Sequence, residues 1–95
     1  MSGERVHELK TWPEFFCSVR IGAKPFEVRY DDRGIETGDL LSLVEWDPQT
    51  KRATGRSLTA RVTYRLRLAD APGLDWVAQA DTDGEWVALG IDVLP

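Results

Sequence analysis

The chain has 95 residues, 42% of them hydrophobic and 29% charged, which is typical of one globular domain, so we expect a single domain over residues 1–95. A formal net charge of −4 argues against a purely electrostatic grip on nucleic acid, and no apolar run reaches the length of a membrane helix. The single cysteine, Cys17, and the single histidine, His7, exclude an intrachain disulfide and a dedicated structural zinc site, and we expect a cytoplasmic protein without metal, cofactor or membrane partner.

The first predicted elements are a short strand over His7–Lys10 and a helix that follows it. Thr11-Trp12-Pro13-Glu14 matches a capping box with Thr11 as the N-cap, and it predicts a helix of about nine or ten residues ending near Ile21. Gly22 is the expected helix stop, and Pro25 prevents continuation. The helical spacing predicts one face that packs on a sheet, made of Phe15, Phe16 and Val19.

A strand with two chemically different faces should begin at Phe26. Its alternation places Phe26, Val28 and Tyr30 on one face and the charged pair Glu27 and Arg29 on the other. Lys24 lies in the preceding loop, and its side chain can reach the same side of the strand as Glu27 and Arg29. This convergence beside a rigid proline and a glycine predicts a small polar recognition site. The alternative is a solvated strand edge with an incidental Lys24–Glu27 pair.

Two further strands are predicted in the middle of the chain. Leu40–Trp46 is apolar on both faces and should be a central strand. Residues 57–68 alternate strictly, which predicts an apolar face of Leu58, Ala60, Val62, Tyr64, Leu66 and Leu68. The opposite face would carry Arg61, Arg65 and Arg67. These arginines could form a phosphate track, or a solvated sheet face paired with acidic residues of the last strand.

The last third of the chain predicts one strand and leaves one segment open. Residues 74–80 fit either a strand or a short helical turn. Glu85–Leu94 should close the chain as a strand with Val87, Leu89, Ile91 and Val93 inward. The elements together predict an α+β fold of about five mostly antiparallel strands, curled into a small barrel, with one N-terminal helix.

The order of several short strings in this sequence resembles the ASCH-like branch of the PUA-like superfamily, and most closely the domain-of-unknown-function family numbered 3850. The strings are His7-Glu8-Leu9-Lys10, Trp12-Pro13-Glu14-Phe15-Phe16, Gly22-x-Lys24-x-x-Glu27-x-Arg29, Asp32-Arg33 and Gly38-Asp39. The resemblance implies a small β-barrel with a helix packed at a cleft. It also implies that the cleft faces single-stranded RNA, a nucleotide or a nucleoside, with the Lys–Glu–Arg string on its rim.

The first functional hypothesis is a binding module for RNA or a modified nucleoside. Lys24 and Arg29 could hold a phosphate or a base carbonyl, and Glu27 could accept from an exocyclic amine. Trp12 or Tyr30 could stack a base, although Trp12 could equally be a core residue at the start of the helix. The candidate ligand-binding residues are His7, Lys10, Trp12, Lys24, Glu27, Arg29 and Asp32. For His7 the alternative is a hydrogen-bonded structural residue.

The second hypothesis is an amidohydrolase acting on acylated nucleosides such as N4-acetylcytidine. Some ASCH-like proteins carry out that reaction with a Lys, a Thr three residues later and a Glu on a later strand. Lys24 matches the Lys, but Glu27 stands at the Thr position, and no later Glu can be assigned. A neighbouring carboxylate favours charged lysine, which suits recognition better than nucleophilic catalysis. Lys24 and Glu27 are the catalytic candidates if the protein is an enzyme, with Glu27 as a general base on water.

Overall fold

The computed structural model describes residues 4–79 and 83–95. It contains one five-stranded sheet and one helix: β1 Val6–Thr11, α1 Pro13–Arg20, β2 Phe26–Asp31, β3 Leu40–Asp47, β4 Arg52–Arg67 and β5 Glu85–Val93. Two 3-10 turns, Leu68–Asp70 and Asp75–Gln79, connect β4 to β5. The sequence left residues 74–80 open between a strand and a helical turn, and the second 3-10 turn shows that residues 75–79 form a helical turn. Ala80 lies outside the described residues. The coarse prediction of a curled, mostly antiparallel sheet with one N-terminal helix is confirmed.

The strand order β1-β3-β4-β5-β2 makes β1 and β2 the two edges of the sheet. β1 runs parallel to β3, and the other three pairs are antiparallel. The sheet curls into a half-barrel that brings the two edges opposite each other. Arginine side chains reach across this seam: Arg29 Nη2 donates to the carbonyl oxygen of Lys10, and Arg33 Nη1 donates to that of Glu8 at 2.8 Å. The seam is therefore bridged by side chains that bond to the β1 main chain.

The core fills the concave side of this sheet. The prediction that Leu40–Trp46 is a central strand is confirmed, since β3 lies between β1 and β4 and buries Leu41 and Leu43 completely. The predicted inward face of β5 is confirmed as well. Its members Val87, Leu89 and Ile91 are buried, and Val93 packs against the core.

The helix begins one residue later than the capping box predicts. Thr11 is the last residue of β1 and is 3% exposed, while Trp12 is the N-cap and makes no side-chain capping bond. The chain passes directly from strand to helix, so Thr11 stays in register with Glu45 of β3 and cannot cap. Pro13 occupies the first turn, where its missing N–H costs nothing. The helix has eight residues and ends at Arg20, one residue before the predicted end near Ile21, and Gly22, the expected stop, adopts φ 83°.

The predicted apolar face of α1 is only partly correct. Phe16 and Val19 are each 1% exposed, but Phe15 is 44% exposed. The helix has eight residues and lies at the mouth of the half-barrel, so a single narrow stripe of it meets the core. Phe15 lies at the margin of that stripe and faces the opening.

β2 separates its apolar and charged residues as predicted, and the charged face turns inward. Glu27 is 4% exposed and Asp31 is 3% exposed, whereas Phe26 and Val28 are each 45% exposed. The inward carboxylates are satisfied locally. Asp31, for example, accepts the backbone N–H groups of the turn that follows, including that of Ile35 at 2.9 Å. A polar inner face at the sheet edge is compatible with folding because each carboxylate is hydrogen-bonded.

The prediction that Arg61, Arg65 and Arg67 share one face of β4 is wrong. The register with β5 shifts between Val62 and Tyr64, so an extra residue interrupts the alternation. Val62 is buried, but Tyr64, which should share its face, is 65% exposed. Arg65 and Arg67 consequently turn to the inner face and pair with Glu85, while Arg61 binds Glu4 and the carbonyl oxygen of Gly38. The three guanidinium groups are each engaged and do not form a track.

Candidate functional site

A cavity of about 330 Å³ opens at the seam between the two sheet edges, beside the start of α1. Three elements line it: the end of β1, the first turn of α1, and the segment from Lys24 into β2. The lining residues are Lys10, Thr11, Trp12, Phe15, Lys24, Glu27, Val28 and Arg29. The ammonium, carboxylate and guanidinium groups of the Lys–Glu–Arg string thus meet in one hollow next to the first helix.

Glu27 is the centre of the charged network in this cavity. Its Oε1 accepts from Lys24 Nζ at 3.0 Å, and its Oε2 accepts from Arg29 Nε at 2.9 Å. Both carboxylate oxygens are therefore engaged with a cation, which is the usual condition for a buried carboxylate. Lys24 Nζ also donates to the carbonyl oxygen of Phe26 at 2.9 Å, so two acceptors hold its ammonium in place.

Arg29 connects the charged network to the opposite edge of the sheet. Its Nη2 donates to the carbonyl oxygen of Lys10 and, at 3.3 Å, to Thr11 Oγ1. Within residues 4–79 and 83–95, Nη1 has no hydrogen-bond partner. The lining residues carry an excess of two positive charges, since they include three cations (Lys10, Lys24 and Arg29) and one carboxylate (Glu27). The whole chain, by contrast, is acidic.

Two aromatic rings form the wall beside these charges. The rings of Trp12 and Phe15 have centroids 6.4 Å apart and an interplanar angle of 20°, and they are 49% and 44% exposed. The exposure of Trp12 excludes the alternative that it is a core residue. Lys24 Nζ lies 5.6 Å from the centroid of Phe15, so the ammonium and the aromatic wall adjoin.

Two predicted site residues lie elsewhere. His7 is 8% exposed, and its Nε2 is 2.9 Å from Asp39 Oδ2, which supports the structural role and not a place in the cleft. Asp32 is exposed in the turn after β2, and its Oδ1 lies 3.9 Å from Arg33 Nε. Of the seven candidates, five line the cavity: Lys10, Trp12, Lys24, Glu27 and Arg29. Ligand binding by them stays a prediction.

Sequence reasoning missed three lining residues: Thr11, Phe15 and Val28. Thr11 was assigned to a cap and Phe15 to the core, because helix patterns alone do not show where a helix meets a sheet edge. Val28 carries no polar side chain and therefore gave no signal. The parallel pairing of β1 with β3, which leaves the other side of β1 facing β2, could have indicated Thr11 only once the topology was known.

A second ionic cluster lies on the other side of α1. Glu45 is 3% exposed, and bonds from the Arg56 guanidinium and the Thr54 hydroxyl lower its pKa to about 2. The same carboxylate raises the pKa of Arg56 above its ordinary value. Arg56 Nη2 also lies 3.6 Å from Cys17 Sγ. Both oxygens of the Glu45 carboxylate are thus satisfied within this cluster, and its residues do not line the cavity.

Two more buried carboxylates are stabilised in their charged form. Burial would raise the pKa of Asp31, but the N–H of Arg33 and the guanidinium of Arg65 outweigh it and the pKa is lowered. Burial would also raise the pKa of Asp39. The hydrogen bonds from the N–H of Glu36 and from His7 outweigh this effect, so the pKa of Asp39 is lowered as well. Both carboxylates therefore stabilise, in their charged form, the loops whose N–H groups they accept.

Within the described residues, no three His, Cys, Asp or Glu side chains come together as metal ligands. None of the helical segments in the same part of the chain has the length and apolar character needed to cross a bilayer.

Comparison with known proteins places the chain in a family. The model of the family described as Domain of unknown function (DUF3850) matches residues 6–91. This range includes all five strands except for the last two residues of β5. The chain belongs to the DUF3850 family. This DUF3850 domain is also similar to a phage protein described as an uncharacterized 12.9 kDa protein in the GpA 3' region of Escherichia phage P2. The two are 39% identical over 66 residues, which cover 70% of this chain and 59% of the phage protein.

Proposed function

We propose that this domain binds RNA, a nucleotide or a modified nucleoside in the cavity at the seam. The observation that carries the proposal is the combination of an exposed, nearly parallel aromatic pair with an adjoining row of charged groups. We also propose that the domain is an ASCH-like member of the PUA-like superfamily. The curled sheet, with its single helix beside the cleft, supports that assignment.

Trp12 and Phe15 supply the surface for a base. Their rings are inclined by only 20° and remain accessible, so a planar ring can stack on either of them. Stacking of a base on an aromatic side chain contributes about 1–3 kcal/mol and tolerates any base. This part of the site accordingly provides affinity for nucleobases with little sequence preference.

The cations supply a place for phosphate. Arg29 retains an N–H at Nη1, and Lys24 uses two of its three N–H groups within the described structure. Lys10 also lines the cavity, but its Nζ lies 4.0 Å from the centroid of the Trp46 ring, which is outside the lining. A surplus of two positive charges favours a phosphorylated ligand over a neutral nucleoside. The volume of about 330 Å³ is at the small end for ligand pockets and favours a footprint of one nucleotide.

The same geometry disfavours an amidohydrolase. A lysine that attacks an amide or removes a proton must be neutral, but Lys24 Nζ donates to Glu27 and to the carbonyl oxygen of Phe26. Both oxygens of Glu27 already accept from cations, so neither is held ready to take a proton from a substrate water. We therefore expect no cytidine after incubation with N4-acetylcytidine. Turnover that Lys24→Ala removes would make the amidohydrolase the correct function.

Tryptophan substitutions test the binding proposal directly. Trp12→Ala should weaken binding of uridine 5'-monophosphate and of a short single-stranded RNA by about fivefold or more in calorimetric titration. Trp76→Ala is the matched control, because Trp76 is 63% exposed and does not line the cavity. Equal affinity for Trp12→Ala and wild-type protein, or no binding of either ligand to wild type, would contradict the proposal.

A further inference from the structure

We infer that the main chain of Val28 reads the edge of the bound base, and that the domain selects a base with an imide-type edge, as in uracil. This inference rests on the proposed function and extends it from stacking and charge to specificity. It depends on the direction in which the main-chain groups of β2 point. That direction follows from the register of the strand.

Alternate residues of β2 direct their main-chain groups away from the sheet. Ile91 N–H donates to the carbonyl oxygen of Pro25 at 3.1 Å, so 25 and 91 form a hydrogen-bonded pair of the antiparallel ladder. In such a ladder the next residue points its N–H and C=O to the opposite side. Residues 27 and 29 therefore bond to β5, and residues 26 and 28 face the seam.

Lys24 confirms this direction independently. Its Nζ donates to the carbonyl oxygen of Phe26 at 2.9 Å while it also bonds Glu27 inside the cavity. The carbonyl of Phe26 therefore faces the cavity and is already satisfied. Val28, two residues on, lines the same cavity. Within the part of the chain that the structure describes, no group bonds to the N–H or C=O of Val28.

β1 presents its main chain to the seam in the same manner. Leu40 N–H donates to the carbonyl oxygen of Arg5, which places Glu8 and Lys10 on the seam side of β1. Both of their carbonyl oxygens accept from arginines, Arg33 and Arg29. Among the carbonyls at this end of the seam, that of Val28 thus differs in having no cation on it. The edge of β2 therefore offers the N–H and the C=O of Val28 side by side, and the side chains of Lys24 and Arg29 offer further N–H donors.

This pattern matches the edge of an imide. A C=O that accepts and an N–H that donates, side by side, fit the N3–H and one carbonyl of uracil. The second carbonyl of the same base can accept from the spare N–H of Lys24 or from Arg29 Nη1. An unpaired main-chain N–H and C=O in a cavity favour such a ligand strongly, since leaving either group without a partner after water is displaced carries a penalty.

The seam could also accept an extended peptide, since a free strand edge is a usual docking site for another strand. Two observations favour a compact ligand. Arg33 crosses to Glu8 and so occupies the seam beyond the cavity. The cavity also carries a positive surplus and an aromatic wall, which a peptide main chain does not need.

Methylation of the ligand tests the inference without altering the protein. Wild-type domain should bind uridine 5'-monophosphate at least tenfold more tightly than N3-methyluridine 5'-monophosphate in calorimetric titration, because the methyl group removes the N3–H donor. Equal affinities would overturn the inference and leave the proposed function standing. No binding of either nucleotide would overturn both, and binding of N-acetylalanine N-methylamide instead of the nucleotides would show a peptide site.

A substitution tests the protein side. Val28→Pro removes the N–H at an edge position where no strand partner needs it, and Val6→Pro is the control, since it makes the same change at the exposed first residue of β1, outside the cavity lining. Val28→Pro should weaken binding of uridine 5'-monophosphate at least tenfold, while Val6→Pro stays within threefold of wild type. Should Val28→Pro fail to fold, the chemical shift of the Val28 amide in wild-type protein decides: a downfield proton shift with uridine 5'-monophosphate supports the inference, and an unmoved resonance contradicts it.

Discussion

Glu27 Oε2 accepts from Arg29 Nε at 2.9 Å, so two residues on one face of a single strand pair with each other inside the concave sheet. The pairing fixes the guanidinium so that its far end crosses to the main chain of β1 at Lys10. One side chain thereby serves the binding cavity and the closure of the half-barrel. The candidate site and the architecture of this domain depend on the same two residues.

Lys24 should be required for binding and not for folding. Lys24→Ala removes a cation from the cavity, and the affinity for uridine 5'-monophosphate should fall at least tenfold. Glu27 keeps Arg29 as its partner, so the free energy of unfolding should fall by only about 1 kcal/mol. Calorimetric titration and urea denaturation measure the two effects. Arg52→Ala, an exposed cation outside the cavity, is the control for loss of charge. A collapse of stability in Lys24→Ala would assign Lys24 to structure.

RNA binding should depend on salt with a shallow slope. The cavity has room for about one nucleotide, and its three lining cations can together engage two or three phosphates of an RNA that continues past it. The logarithm of the association constant should therefore fall against the logarithm of salt concentration with a slope of about −1.4 to −2.1. Titrations of a short single-stranded RNA between low and physiological salt give this slope. A salt-independent affinity would contradict the phosphate contacts, and a much steeper slope would require a second basic surface.

Glu45 should make the domain sensitive to acid. Because Arg56 lowers its pKa to about 2, the charged carboxylate stabilises the fold at neutral pH. That stabilisation is complete above the ordinary glutamate pKa and is lost as the pH falls through about 2. Glu45→Gln should therefore be less stable than wild type at pH 7, with a gap that narrows between pH 5 and pH 2.

Urea denaturation at pH 7, 5, 3 and 2 measures that gap. Glu36→Gln is the control, since Glu36 is exposed and its carboxylate has no ion pair within the described residues. A gap between Glu45→Gln and wild type that stays constant across this range would contradict the role given to the Glu45 charge.

Two glycines should respond differently to alanine. A Cβ on Gly84 would lie 2.5 Å from the carbonyl oxygen of Asp31, a main-chain atom that cannot move aside cheaply. Gly84→Ala should therefore lower the free energy of unfolding by about 1–3 kcal/mol.

A Cβ on Gly90 would meet the Thr63 hydroxyl at 2.9 Å, and Thr63→Ala should relieve that contact. Chemical denaturation of the single variants and of the Thr63→Ala, Gly90→Ala pair measures this, and an unrescued pair would contradict it.

The sequence predicts the elements of this fold better than their faces. Apolar content located the central strand, strict alternation located the last strand, and the signals at Thr11–Glu14 and Gly22 located the helix. Alternation failed on β4 at Val62–Tyr64, where one extra residue reverses it. A bulge is set by pairing with another strand, so a single strand's pattern cannot reveal it.

The site was predicted to the extent that its side chains lie close together in sequence. Lys24, Glu27 and Arg29 belong to one short segment, and their convergence follows from the period of a strand. His7 was misplaced because its partner, Asp39, is distant in sequence and becomes a neighbour only through the pairing of β1 with β3. The main chain of Val28 gives no signal in sequence at all.

A titration of isotopically labelled domain with uridine 5'-monophosphate, followed by amide chemical shifts, tests the central claim most directly. If the cavity is the binding site, the resonances that move should be those of residues 10–15 and 24–29, with small changes elsewhere in the sheet. Saturable shifts confined to those two segments are the predicted result. Shifts centred on another surface, or an unchanged spectrum at millimolar nucleotide, would contradict it.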